Sequence, residues 1–487
     1  MSTKLRAAAV LMAAVLSAYG SAIWIEHRAH LHLDIVITAV AMTMTLARVQ
    51  RGADPRDRLI GAAVLAASAA TASEVSSLLQ LHPFLGGAAF TAAMAAAIWI
   101  RRFGPRATKA GTVGALPFIT LLVTQGQGGP PHTAADDLWC ALIALVAAFW
   151  VAVYQLGAAA LGMREQRRHP PAPRPLIAPS GAKRIPAGTR MACQTAVALG
   201  TAFAVGHLAF HDHWPWAVLT AYIVGSGARG RGDVLHKGVL RTAGATAGTV
   251  VATAIAGTFP PADRWSVVII FAVLGVASWL REISYAFWAG SVTAALSLLY
   301  GYFGQNATSL LTTRLEAIVV GAVPGIAASW FVLPVRTADV LRRRMAEALA
   351  ALTACLDAPI DDRAEIRRRQ ARFQYAVAQL EQIAKPLRAQ RMLTGRAARA
   401  DAIDVVHSCV EPVRALAEFG LYAESGLYAG SGLYSVRNTS AADEREARTD
   451  GRNAPTAAIA APESASATTV GHAHPCSSEA GRSRPEP

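Results

Sequence analysis

Apolar residues fill most of the first 335 positions in long runs separated by short polar or basic breaks. A helix that crosses a bilayer needs about 20 mostly apolar residues. Runs of that kind fall at 7–25, 31–47, 59–79, 84–100, 111–124 and 138–161. A second set falls at 191–209, 214–228, 238–258, 265–280, 284–301 and 312–333. The runs at 111–124 and 214–228 are short. The pattern predicts an all-α polytopic membrane protein with about twelve transmembrane helices. Lys4 and Arg6 ahead of the first run resemble a secretory signal, but the apolar core is longer than such signals carry. It is read as a span.

The pattern changes at residue 335. Leu341, Met345, Leu349, Leu352 and Leu356 recur at steps of three and four, as do Ile366, Phe373, Val377, Leu380, Ala384 and Leu387. Ile403, Val406, Val410 and Phe419 continue more loosely. This spacing predicts two or three amphipathic helices over 335–419, with a coiled-coil segment joining copies of the chain as the alternative. Residues 420–487 begin with three Gly-Leu-Tyr repeats and continue rich in Ala, Ser, Glu, Arg and Pro, a composition expected to be disordered.

The two apolar sets also resemble each other at a shift of about 180 residues, in the register of parallel repeats. Thr38-Ala39 matches Thr220-Ala221, Ala47-Arg48 matches Ala228-Arg229, and Arg51-Gly52 matches Arg231-Gly232. Arg58-x-x-Gly61-Ala62 matches Arg241-x-x-Gly244-Ala245, and Trp99-x-Arg101 matches Trp279-x-Arg281. The expected organisation is a six-helix repeat at 1–161, a basic linker at 162–190 and a second six-helix repeat at 191–334. Parallel repeats place a pathway between them.

Charge sets the orientation. Of 487 residues, 16% are charged and 53% are hydrophobic, with a net charge of +14. In a soluble chain that balance would suggest nucleic acid. Here the Lys and Arg lie between apolar runs, so the implied partner is the lipid bilayer. Alternate breaks hold 22 Lys and Arg, against Arg28 and Arg264 alone in the others. That asymmetry places both termini in the cytoplasm. Five scattered cysteines, without C-x-x-C spacing, predict neither a disulfide framework nor a zinc site. No G-x-x-x-x-G-K-[ST] loop is present, so the chain encodes no nucleotide-hydrolysing module of that type, and no enzyme motif or cofactor is predicted.

Candidate chemistry rests on ionisable residues in or beside the spans, where charge is costly. Asp34, Glu74, Arg314 and Glu316 are the pathway candidates: a cation to attract an organic anion and an acid to carry protons. The alternative is that Arg314 and Glu316 snorkel to the interface. Arg58, Arg231, Asp233, Lys237 and Arg241 are placed at the cytoplasmic mouth, where a basic ring would concentrate anions, though ordinary topology explains most of that charge. His27, His30 and His32 match His207, His211 and His213 on the opposite side, each trio beside an acid. They are weak metal or pH-sensing candidates, against a reading as tolerated interfacial residues.

The stretch Trp216, Leu219, Thr220, Ala221, then Gly230-Arg231-Gly232-Asp233, then Lys237, Gly238, Arg241, Gly244, Ala245, Gly248 and Thr249 resembles the fusaric acid resistance family. Arg314-Leu315-Glu316, Gly321 and Leu333-Pro334 extend the resemblance. It implies a bacterial inner-membrane exporter of aromatic acids, with a cytoplasmic helical region after the membrane part. Proton coupling is consistent with the buried acids expected from the sequence. Plant malate transporters are similar, which leaves an anion channel as a second expectation. A scaffold or regulatory subunit acting through 335–419 is a third, and homo-oligomerisation stays open.

Overall fold

The computed structural model describes residues 3–29, 34–124, 134–162, 185–228, 230–255, 260–281, 284–304, 308–335, 337–358, 362–394 and 398–415. The Gly-Leu-Tyr repeats, the tail and most of the 162–190 linker lie outside the described residues. The chain is an all-α polytopic membrane protein. In lipid a backbone must satisfy its own polar groups, and helices do so within one segment.

Each of the twelve predicted spans is helical. The first set is α1 (Thr3–Ala29), α2 (Asp34–Val49), α3 (Pro55–Leu81), α4 (Pro83–Trp99), the pair α5 (Pro105–Gly114) and α6 (Leu116–Thr124), and α7 (Ala134–Ala160). The second is α8 (Ala187–Phe210), α9 (Trp214–Gly225), α10 (Arg231–Ile255), α11 (Arg264–Leu280), α12 (Tyr285–Tyr302) and α13 (Thr308–Phe331). Proline opens α3, α4, α5 and α9 within the first two positions, where its missing N–H is no loss. Asp263 and Ser284 cap α11 and α12 by accepting from the backbone of Trp265 and Ala286.

Of the two short runs, one is broken and the other stays short in the structure. The fifth is broken at Ala115, between α5 and α6, and Pro117 in the next turn supplies no donor to continue the ladder. The eighth, α9, has 12 residues. At 1.5 Å per residue it is about 18 Å long, well short of a ~30 Å hydrocarbon core. By length and apolarity seven helical segments among the described residues suffice to cross a membrane, α5–α6 counting as one; α2, α9 and α11 are apolar but shorter.

The helix pairings of one set recur in the other. α1 packs on α2 and α7, α2 on α7, and α3 on α7 and the α5–α6 pair; α8 packs on α9 and α13, α9 on α13, and α10 on α13 and α12. Between the sets, α4 lies on α8, α1 on α11, and α6 on α9. Phe90 of α4, Phe118 of α6 and Phe203 of α8 meet edge-on at this seam, with ring centroids 5.5 to 5.8 Å apart. Glycine sets the closest approaches. A Cβ on Gly244 or Gly248 of α10 would stand 2.3 Å from the carbonyl of Ala286 or Gly290 on α12. One on Gly321 of α13 would stand 2.3 Å from the Ala217 carbonyl of α9. Small residues permit such contact between membrane helices.

The basic breaks gather at one end of the bundle. Lys109 and Arg106 at the start of α5 pair with Asp57 at the start of α3, at 2.6 and 3.7 Å. The Arg231 and Gly232 amides opening α10 donate to the Val335 carbonyl and the Thr337 hydroxyl beyond α13. From that end α14 (Thr337–Leu356), α15 (Arg363–Thr394) and α16 (Ala398–Ser408) follow. They pack together, with α14 and α16 on α15, around Leu341, Ala348, Phe373, Val377, Leu380, Ile383 and Ile403. The predicted periodicity is thus a packed three-helix core.

The α15–α16 contact is electrostatic at its rim. Arg388 donates to Glu381 and Asp404 at 2.6 to 3.0 Å, and Arg391 to Asp401 and Asp404 at 2.9 and 3.0 Å. The hydrogen bond from Arg388, joined by that from Arg391, holds the Asp404 carboxyl below its ordinary value. A depressed carboxylate contributes stability that is fully present above its unfolded pKa of about 3.9 and is lost as pH falls from there through its lowered folded value. Amide exchange over 398–408 is therefore expected to accelerate below about pH 4, before the α14 amides respond. Asp404→Asn should remove that step, and an unchanged acid response in this variant would show that the contact does not set it.

Candidate functional site

Among the described residues, Arg241 and Arg314 are the charged side chains that are buried, at 7% and 4% exposure. They lie on neighbouring helices, α10 and α13, close enough for the charge of Arg241 to act on Arg314. The Arg314 guanidinium carbon is 5.7 Å from the ring centroid of Trp216 on α9 and 5.9 Å from that of Tyr300 on α12. The two rings stand 6.1 Å apart. Arg241 Nε and Arg314 Nη1 are buried without a hydrogen-bond partner. Arg314 thus has two aromatic rings beside it and a donor to spare, and a second buried cation lies on the next helix. A planar carboxylate matches the donor fork of a guanidinium, and an aromatic body suits such walls.

Arg241 sits deeper than the sequence places it. The basic bend expected before residue 238 is itself helical, so α10 starts at Arg231 and Arg241 lies ten residues along it. Its repeat counterpart Arg58 stays in the first turn of α3, half-buried, with Nε donating to the Ala53 carbonyl at 3.2 Å. The two arginines that the repeat equates are not equivalent.

The expected acids are not beside the cations. Glu74 and Glu316 are exposed on the outer faces of α3 and α13, while Ser73 and Ser76 face inward. The Asp34 side chain lies outside the described residues. Among the described residues the buried charged side chains include no Asp or Glu.

The mouth candidates divide by role. Arg231 lies 4.8 Å from the Trp330 ring centroid and Asp233 is half-buried in the first turn of α10. Lys237 reaches back across the bend, donating Nζ to the carbonyls of Ser226 and Ile223 at the C-terminus of α9. A cation there satisfies terminal carbonyls and opposes the negative end of the helix dipole. Lys237→Met should lower the thermal unfolding temperature by a few degrees, about 1–2 kcal/mol. Differential scanning fluorimetry in detergent checks this, with Lys237→Arg recovering part of the loss; an unchanged midpoint in Lys237→Met would remove the cap from the account.

The histidines do not converge. Ring centroids of His207 and Trp214 are 4.9 Å apart, and those of His213 and Trp216 are 4.6 Å apart. His27 and His211 are exposed, and His30 and His32 lie outside the described residues. No group of three metal-ligating side chains forms among the described residues, so the metal expectation finds no support there. The cysteines at 140, 193, 355 and 409 are free thiols.

Residues missed as site members are Trp216 and Tyr300. Trp216 entered the sequence reading as part of the family-like motif and not as a site member, and Tyr300 carried no signal, because their meeting with Arg314 is tertiary.

A concavity opens at the basic end, with a volume of about 890 Å³, between α8, α9, α13 and α14. Ala221 and Gly325, one turn from the close Ala217–Gly321 contact, form part of its wall.

Residues 199–328 match the family described as fusaric acid resistance protein-like, a stretch that includes Trp216, Arg241, Tyr300 and Arg314. No curated protein and no solved structure matches the chain. Across residues 199–328 the protein is thus similar to the fusaric acid resistance protein-like family, as its sequence motifs imply, and that similarity points to a membrane efflux or resistance transporter.

Proposed function

We propose that the protein exports small organic acids, aromatic carboxylates in particular, across the bacterial inner membrane. The observation that carries this reading is the buried Arg314 between the rings of Trp216 and Tyr300, with a second buried cation, Arg241, on the neighbouring helix α10. An isolated charge in the hydrocarbon region costs about 2.5–3.5 kcal/mol or more. A second buried cation on the neighbouring helix adds to that cost, and an entering carboxylate offsets it. The substrate's ring takes the aromatic walls, its carboxylate the free guanidinium donors. Basic loops on the cytoplasmic side raise the local anion concentration before entry.

A second reading, an anion channel, has its own support: Glu74 and Glu316 face outward, away from the buried arginines. A channel requires no acid that alternates between protonation states beside the substrate.

Everted membrane vesicles from an expressing strain test both readings with radiolabelled benzoate. Accumulation above vesicles lacking the protein, lost when the pH gradient is collapsed, is the result expected of a coupled exporter. Flux that ignores the pH gradient but follows the membrane potential identifies the channel. No flux of benzoate or larger aromatic acids above the control overturns both.

A further inference from the structure

The concavity at the basic end carries an inference of its own, and it extends the transport reading to a second place in the molecule. Its volume of about 890 Å³ lies within the range of small-molecule sites. The wall contains Arg190 of α8, Arg231 of α10, and Arg343 and Arg344 of α14. Against four guanidiniums stand two acids, Asp339 and Glu347. Glu347 is engaged by Arg343 at 3.2 Å and by Arg344 at 3.3 Å. Arg190 Nε is buried without a hydrogen-bond partner. Tyr222 of α9, 7% exposed, supplies an aromatic face.

We propose that this concavity binds a small organic carboxylate, gripped by Arg190 and Arg231 from the membrane helices and by Arg343 and Arg344 from α14. The chemistry follows from the wall. Its excess of positive charge selects an anion, and guanidinium forks favour a planar carboxylate over a spherical ion. The ring of Tyr222 and the aliphatic wall of Ala198, Leu199 and Ala221 suit an apolar body. The site holds the anion at the cytoplasmic end of α9 and α13, the two helices that carry Trp216 and Arg314 further along. Because α14 forms one wall, the cytoplasmic helices belong to the binding apparatus.

The test places a reporter inside the site. Ala228, half-buried in the wall, is changed to cysteine in full-length protein whose native cysteines are replaced by serine, reconstituted in lipid nanodiscs. The rate of modification by a small methanethiosulfonate reagent is measured with and without benzoate. Benzoate is expected to slow labelling at least fivefold and saturably, whereas sodium chloride at equal concentration does not. Arg190→Gln, or Arg343→Gln with Arg344→Gln should the first not fold, is expected to raise the half-protecting concentration about tenfold. Labelling that benzoate leaves unchanged overturns the proposal, as does equal protection by chloride or unaltered protection in the folded variants. Protection by benzoate in a protein that moves no benzoate in vesicles would leave this site standing and remove the transport reading. Transport without protection would do the reverse.

Discussion

Arg314→Gln is expected to reduce flux of aromatic acids by about tenfold to a hundredfold at subsaturating concentration, without unfolding the protein. The two halves of that result come from one observation. Arg314 is 4% exposed, has a donor without a partner, and sits on a helix packed against α10, which carries the second buried cation. A charge in that setting opposes folding through its desolvation, and Gln removes the charge while keeping most of the side chain's length. The variant should therefore unfold at the same temperature as the parent, or higher. Binding moves the other way. A charge-assisted hydrogen bond to a carboxylate is worth about 1.5–3 kcal/mol, or about one to two orders of magnitude in affinity. Arg241→Gln should act in the same direction, and the double variant should lose less than the sum, because the residues serve one anion. Flux assays paired with thermal unfolding check this. A variant that unfolds at lower temperature yet transports fully would make Arg314 a structural residue.

Gly321→Ala is expected to be the most damaging single-methyl change on α13, and Gly321→Leu to prevent recovery of folded protein. A Cβ at 321 would lie 2.3 Å from the Ala217 carbonyl and 2.6 Å from the Ala217 Cα. Both are backbone atoms of α9, so no rotamer change makes room and the helices must separate. Adding bulk to a packed core costs about 1–3 kcal/mol even where side chains can move. At Gly325, one turn on, the nearest atom to an added Cβ is the Ala221 carbonyl at 3.0 Å. Gly325→Ala should therefore cost measurably less. Size-exclusion yield and unfolding temperature of the two alanine variants give the ordering, and a reversed ordering would contradict the α9–α13 contact.

Much of this architecture was legible in the sequence, and for identifiable reasons. Apolar runs of bilayer length allow little except helix, so all twelve expected spans are helical. Arg314 stood out because arginine inside an apolar run is costly enough to need a reason. What failed to show was the direction in which side chains face. α3 is rich in alanine and serine around Glu74, so no apolar stripe marks its inner side; depth along the helix suggested an interior acid, and the fold turns it outward. Arg241 was read as a mouth residue because the Gly-rich bend before it looked non-helical. Lys237 looked like topology and is a helix cap, since its partners in α9 are 11 and 14 residues away.

The brevity of α9 governs how far an anion must travel out of contact with charge. Trp216, beside the buried arginine, and Ala221, on the wall of the basic-end concavity, are five residues apart, about 7.5 Å along the helix axis. On the transport reading, that interval, closed by the Ala217–Gly321 contact, is the barrier against leakage, roughly a quarter of the bilayer's ~30 Å of hydrocarbon. Most of the membrane potential would then fall across one or two helical turns. An anion would complete the electrically significant part of its passage in about 7.5 Å, less than two turns of α9.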